Sequence, residues 1–155
     1  LKNTYGRGFE LWCEPGKYMV SKSGYFITEV NVIKQTPTIT FAGVNSGFNH
    51  LIRPMFYEAY HEIKNLSNPD GALAVYDVVG NICETDTFAS DRQIATISEG
   101  DLLVFENAGA YGFEMASNFN SRYKPAEVLI INGEAKLIRQ RDTFEDLTRN
   151  QVEVL

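Results

Sequence analysis

A mainly β domain, an antiparallel sandwich or barrel with one or two short helices, is what this sequence predicts, on three observations. Runs of β-branched and aromatic residues recur along the chain. Clusters of turn-forming residues separate them, and segments with a helical apolar period are few and short. Many short strands joined by regular turns bury their apolar faces by stacking two sheets or closing one.

Taken in order, Phe9-Glu10-Leu11-Trp12-Cys13 reads as a short buried strand that runs into Glu14-Pro15-Gly16. Gly24 to Lys34 alternates, with Phe26, Thr28, Val30 and Val32 on one face. Thr38 to Val44 follows Thr36-Pro37 and is rich in β-branched and aromatic residues. Ala72 to Val79 comes after Asn68-Pro69-Asp70-Gly71, whose residues supply turn geometry. Ser98-Glu99-Gly100-Asp101 is a further turn, and Leu102 to Phe105 the strand behind it. Val128 to Ile131 and Lys136 to Arg139 lie either side of Asn132-Gly133, a strong hairpin signal. Two helices are expected: one or two turns over Arg53 to Ala59, where Pro54 is tolerated near the start, and a terminal helix over Phe144 to Val152.

The 155 residues suffice for one domain with a real core. With 44% hydrophobic and 22% charged residues the chain has the balance of a folded protein. A formal net charge of -6 and the lack of a basic patch speak against nucleic-acid binding. No apolar run reaches the ~20 residues of a membrane-spanning helix. Cys13 and Cys83 sit in no metal-ligand spacing, and His50 and His61 are the only histidines, so no metal site is expected. Two unpaired cysteines suit a reducing, cytoplasmic setting. Composition and period yield an all-β domain and no activity.

Five segments place polar or ionisable residues beside glycine or proline. They are Glu14-Pro15-Gly16-Lys17, Arg53-Pro54-Met55-Phe56-Tyr57, Cys83-Glu84-Thr85-Asp86, Ala108-Gly109-Ala110-Tyr111-Gly112 and Ser117-Asn118-Phe119-Asn120-Ser121-Arg122. In this order they resemble the pyridoxal-phosphate-dependent amino-acid decarboxylases of the alanine-racemase-like fold, and within these the diaminopimelate decarboxylase group. The resemblance runs from about Glu14 to Leu147. It implies a β/α barrel that holds pyridoxal 5'-phosphate through a lysine, a C-terminal β domain that closes the site, and a homodimer whose active site is shared between subunits.

The same resemblance implies roles residue by residue. Glu14 would stand beside the pyridine nitrogen of the cofactor and keep it protonated. Gly16 and Lys17 would border the cofactor. Lys17 departs from the family's usual arginine: a compact ammonium replaces a fork that could grip a carboxylate or the phosphate at two points. Arg53 and Tyr57, one helical turn apart, would bind the substrate, the guanidinium taking a carboxylate. Cys83 would reach the partner subunit's site and return a proton after carbon dioxide leaves; thiols titrate at about pH 8.5, near enough to neutrality for that task. Glu84 would recognise the distal ammonium of the substrate, and Tyr111, between small residues, would touch cofactor or substrate. Asn45 stands where the family often has aspartate. Cys13, His50 and His61 read as structural.

The resemblance divides the chain into a remnant of a preceding barrel domain, residues 1–17, and a C-terminal β domain, residues 18–155. A piece of this kind, without the cofactor lysine, is expected to be inactive alone and to expose an apolar surface that promotes self-association. The implied reaction is removal of carbon dioxide from meso-diaminopimelate to give L-lysine. Ornithine, arginine or carboxynorspermidine are the rival substrates, and a non-catalytic homologous module is the rival of another class.

Overall fold

Residues 2–84 and 86–154 are described by a computed structural model. In chain order the elements are α1 (Lys2–Tyr5), α2 (Gly16–Val20), β1 (Phe26–Gln35), β2 (Thr40–Val44), α3 (Arg53–Tyr57), β3 (Ile63–Asn65), β4 (Leu73–Val79), β5 (Thr87–Ala95), β6 (Leu102–Phe105), β7 (Glu127–Ile131), β8 (Glu134–Arg139) and α4 (Phe144–Thr148). The mainly β class expected from the sequence is the one observed, with more short helices than the one or two anticipated.

Six strands form one sheet in the order β3-β6-β1-β2-β4-β5, and β7 and β8 form a separate hairpin. Neighbours in the large sheet pair antiparallel except β2 and β4, which run parallel with Phe41 opposite Asp77 and Gly43 opposite Val79. Parallel neighbours need a long crossover. Residues 45–72 supply it and carry α3 and β3 on the way. The edge strands β3 and β5 meet, so the sheet curls nearly closed. Side chains bridge this seam: Asn65 Nδ2 donates to Thr96 O at 2.9 Å, and Arg92 Nη1 donates to His61 O at 3.2 Å.

Val30, Val44, Val78, Ile94, Leu103 and Phe105 are fully buried inside the curl. Phe105 packs with Phe26 and Phe88 at ring separations of 5.5 and 5.1 Å. Burying one such side chain stabilises by about 1.5–3 kcal/mol. No helix among the described residues is long and apolar enough to cross a membrane.

Several local expectations change. Phe9 to Cys13 is an exposed stretch without regular structure, not a buried strand: Leu11 is 88% and Trp12 84% exposed, and Cys13 is exposed as well. Phe9 meets its near neighbours Tyr5, edge-on at 5.6 Å, and Arg7, whereas Leu11 and Trp12 are left almost fully open to solvent. Along β1, Thr28 and Val30 are buried but Val32 is not, because the register with β2 shifts between Val30 and Val32 and Ile33 turns inward instead. Such a bulge moves every later side chain to the other face. The terminal helix stops at Thr148. It starts at Thr143 because the Asp146 carboxylate accepts the Thr143 N–H at 2.9 Å in a capping box. At the β7–β8 turn both Asn132 (φ 51°) and Gly133 (φ 81°) are left-handed, as a two-residue hairpin loop requires. That hairpin exposes Val128, Ile130, Leu137 and Ile138.

Candidate active site

The α3 helix begins with Arg53-Pro54, where the missing proline N–H costs nothing, and ends at Glu58 in a left-handed conformation. It places Arg53 and Tyr57 on one face. Arg53 is only 6% exposed. The Tyr57 ring lies 6.0 Å and the Tyr111 ring 5.9 Å from its guanidinium carbon. Both fall at the outer limit of a cation–π contact. Arg53 Nε and Nη1 are buried and have no hydrogen-bond partner among the described residues. Buried charge without a partner costs several kcal/mol, so an anion that reached these donors would be bound strongly. The planar fork of the guanidinium matches a carboxylate.

Tyr111 reaches this group from the 108–112 loop, where its own φ is +57°. A tyrosine in that conformation needs its surroundings to hold it there. They do so through close backbone approach. Ala108 N–H donates to Gly24 O at 2.8 Å and Gly109 N–H to Ser21 O at 3.0 Å. A Cβ on Gly109 would stand 2.1 Å from Val20 O and 2.7 Å from Gly24 N. Main chain cannot yield as a side-chain tip can. Gly109→Ala is therefore expected to destabilise the chain by about 1–3 kcal/mol, as overpacking does. Urea denaturation would read this as a lower midpoint, and an unchanged midpoint would count against the close approach.

Tyr111 also borders a cleft of about 460 Å³ whose other walls include Glu14, Lys17 and Ser21. Glu14 and Gly16 lie in one tight turn, with Gly16 N–H donating to Glu14 O at 2.9 Å. Nothing lies within 4 Å of where a Gly16 Cβ would be. The structure thus brings together Glu14, Lys17 and Tyr111 at the cleft, with Gly16 in the turn between the first two, and sets Arg53 near both Tyr111 and Tyr57. Among the described residues no cluster of three or more metal-ligating side chains is gathered.

His61, which the sequence alone marks as structural, borders the same group. Its Nδ1 is 2.8 Å from Glu106 O and so carries the proton, while Nε2 is buried and unpartnered. Burial lowers its pKa, and the charges of Arg53, Lys17 and Arg92 lower it further. No motif spacing marks this histidine, because its neighbours come from three separate elements. His50 is fully engaged instead: Ser46 Oγ stands 2.7 Å from Nδ1 and Tyr123 O 2.9 Å from Nε2. Burial is again the first cause that lowers its pKa. Both histidines are held neutral in the fold, so the unfolded chain binds more protons below its ordinary histidine pKa of about 6.5. Stability is expected to be full above that pH and to fall as acid is added below it. A urea midpoint that did not drop between pH 7.5 and 5.5, values chosen to span about 6.5, would contradict neutral imidazoles.

Cys83 and Glu84 are not joined to this group by any hydrogen bond or ion pair among the described residues. Both are exposed on the loop between β4 and β5, the Cys83 thiol donating to Glu84 Oε2 at 3.4 Å. Among the described residues neither bonds to Arg53, Lys17 or Tyr111; Thr85 of the same motif lies outside the described residues. Asn45, itself exposed, is tied to β1: its Oδ1 accepts Thr28 Oγ1–H at 2.6 Å and Glu29 N–H at 3.2 Å.

Comparison with known proteins gives a coherent picture. Residues 17–109 match the family described as "Pyridoxal-dependent decarboxylase, C-terminal sheet domain". The chain is 49% identical over 152 residues to a diaminopimelate decarboxylase of Methanothermobacter thermautotrophicus, covering 96% of this chain and 35% of that protein. It is 45% identical over 147 residues to one of Campylobacter jejuni, covering 94% of this chain and 36% of the other. Its fold resembles a crystal structure of diaminopimelate decarboxylase from M. jannaschii in complex with L-lysine, with a TM-score of 0.84, 35% identity, and coverage of 89% and 32%. This chain thus spans about a third of the length of the relatives it matches.

Proposed function

From the premise that this chain belongs to the pyridoxal-dependent decarboxylases, as their C-terminal sheet domain, we propose that it is the part of a diaminopimelate decarboxylase that completes the active site. The whole protein removes carbon dioxide from meso-diaminopimelate and leaves L-lysine. The observation that carries this reading is Arg53, whose buried donors lack a partner in a wall that also offers Tyr57 and Tyr111. A substrate bearing a carboxylate satisfies them.

Pyridoxal phosphate, when bound, supplies the sink for the electron pair that carbon dioxide leaves behind. The residues present fit its edge, since the cleft beside Tyr111 joins a carboxylate, Glu14, to an ammonium, Lys17. Glu14 would hold a proton on the ring nitrogen. Gly16, Lys17 and Tyr111 would border the group and its anionic substituent. Lys17 offers charge without a two-point grip, so its contact is a point attraction.

Arg53 and Tyr57 orient the substrate through its carboxylate. Glu84 takes the ammonium at the far end, and the Cys83 thiol delivers a proton to the carbon that has lost its carboxylate. Among the described residues Cys83 and Glu84 make no bond to Arg53, and in the homodimer each copy lends these two residues to the other's site. Residues 1–17, whose Leu11 and Trp12 find no cover here, belong with the preceding barrel, and residues 18–155 form the β domain. A cytoplasmic setting, where exposed thiols stay reduced, completes the reading.

The test is carbon dioxide release by the full-length protein with added pyridoxal phosphate, from meso-diaminopimelate, ornithine, arginine and carboxynorspermidine in parallel. Release from meso-diaminopimelate alone supports the proposal. Release from one of the others replaces the substrate, and none from any of them leaves a non-catalytic module. This chain by itself is expected to release nothing.

A further inference from the structure

Asp86 is buried at the foot of the loop that carries Cys83 and Glu84. Its Oδ2 accepts the Ile82 N–H at 2.9 Å and closes that loop on itself. Its Oδ1 accepts the Phe48 N–H at 2.6 Å, from the turn that leads into α3. Main-chain bonds reinforce both joints: Gly80 N–H to Asp86 O at 2.7 Å, and Asn81 N–H to Ser46 O at 2.9 Å. The carboxylate fills a hollow that two glycines leave. A Cβ on Gly80 would stand 2.0 Å from Oδ2, and one on Gly47 2.9 Å from the same oxygen.

Cys83 and Glu84, by contrast, are exposed, and among the described residues their one side-chain bond is the 3.4 Å contact between them. Among its described residues the loop has no ladder bonds of its own, so its shape depends on what closes it. A carboxylate suits this because both oxygens accept, one for each backbone donor. An asparagine would turn an NH2 group towards one of the two N–H groups.

We propose that Asp86 is a positioning residue for Cys83: it closes the 82–86 loop, fastens it to the 46–48 turn, and so fixes where the thiol stands when it delivers its proton. This rests on the reading of Cys83 as the acid.

The test uses the full-length protein loaded with pyridoxal phosphate. kcat and KM for meso-diaminopimelate are measured for Asp86→Asn, Cys83→Ala and the double variant, and alkylation of Cys83 by iodoacetamide is timed by peptide mapping. Asp86→Asn is expected to lower kcat by about 10- to 100-fold, the cost of a misplaced reacting group, with KM little changed. In the Cys83→Ala background it should add nothing, since the two act as one unit. Alkylation should become roughly threefold faster or more as the loop loosens. A loss that multiplies in full with that of Cys83→Ala, or an unchanged alkylation rate, overturns the proposal. Should Cys83→Ala retain full activity, the acid reading fails, and the alkylation rate still decides whether Asp86 sets the thiol's place. Asp86→Ser, which keeps a single acceptor, replaces the asparagine variant if that one does not fold.

Discussion

Cys83→Ala in the full-length protein is expected to lower kcat by about 10²–10⁴-fold, the usual contribution of a positioned proton donor. KM should hardly move, because the thiol acts after the substrate is bound. Cys83 is exposed and outside the core, so its truncation removes no packing. The melting behaviour of the variant should match the parent's. That separation of rate from stability makes the result informative. A variant with normal kcat would remove the acid role, and one that loses rate and stability together would point to structural damage. Cys13 is an internal control: it is exposed too, yet its alanine variant should keep full activity.

Arg53 should give the second large effect, with opposite signs on activity and stability. Arg53→Lys keeps the charge and loses the fork, so kcat/KM for meso-diaminopimelate should fall by about 10²-fold or more. Arg53→Met keeps much of the volume and loses the charge. Leaving one member of a buried charge pair unmatched costs about 3–5 kcal/mol, so binding should nearly vanish. By itself, however, this chain gives Arg53 Nε and Nη1 no partner among the described residues. Replacing such a buried charge by an apolar side chain is often neutral or stabilising. The methionine variant of this chain is therefore expected to unfold at equal or higher urea concentration than the parent. A marked loss of stability would mean that Arg53 serves the fold, and the binding role would fall.

Legibility in the sequence followed how local each signal was. β6 and the β7–β8 hairpin were readable because a turn and an apolar run sit side by side, as in Asn132-Gly133. β5 was not, since Ser90-Asp91-Arg92-Gln93 interrupts its apolar ends and Asp91, at φ 51°, breaks the alternation beside an irregular register with β4. β3 has three residues, too few for any period to show. The parallel β2–β4 ladder lay beyond reach because strand direction is decided by the crossover and not by either strand's composition. Phe9 to Cys13 misled for another reason: it has the composition of a buried strand but pairs with no strand among the described residues and leaves Leu11 and Trp12 exposed. At the site, Arg53-Tyr57 spacing could be read, whereas the approach of Tyr111, the placement of His61 and the burial of Asp86 depend on elements far apart in sequence.

The parallel ladder also bears on how this chain acquires its shape. Phe41 meets Asp77 only after the whole intervening crossover has been gathered in, and distant contacts of this type slow the search because chain closure must precede the reward. The β7–β8 hairpin can form in isolation, early and locally. Arg53 rides on the crossover itself, so its guanidinium is enclosed only once that crossover has been gathered in. A nascent chain would thus hold that charge in water until the crossover folds, and anion-binding capacity should emerge together with that part of the native structure and not before it.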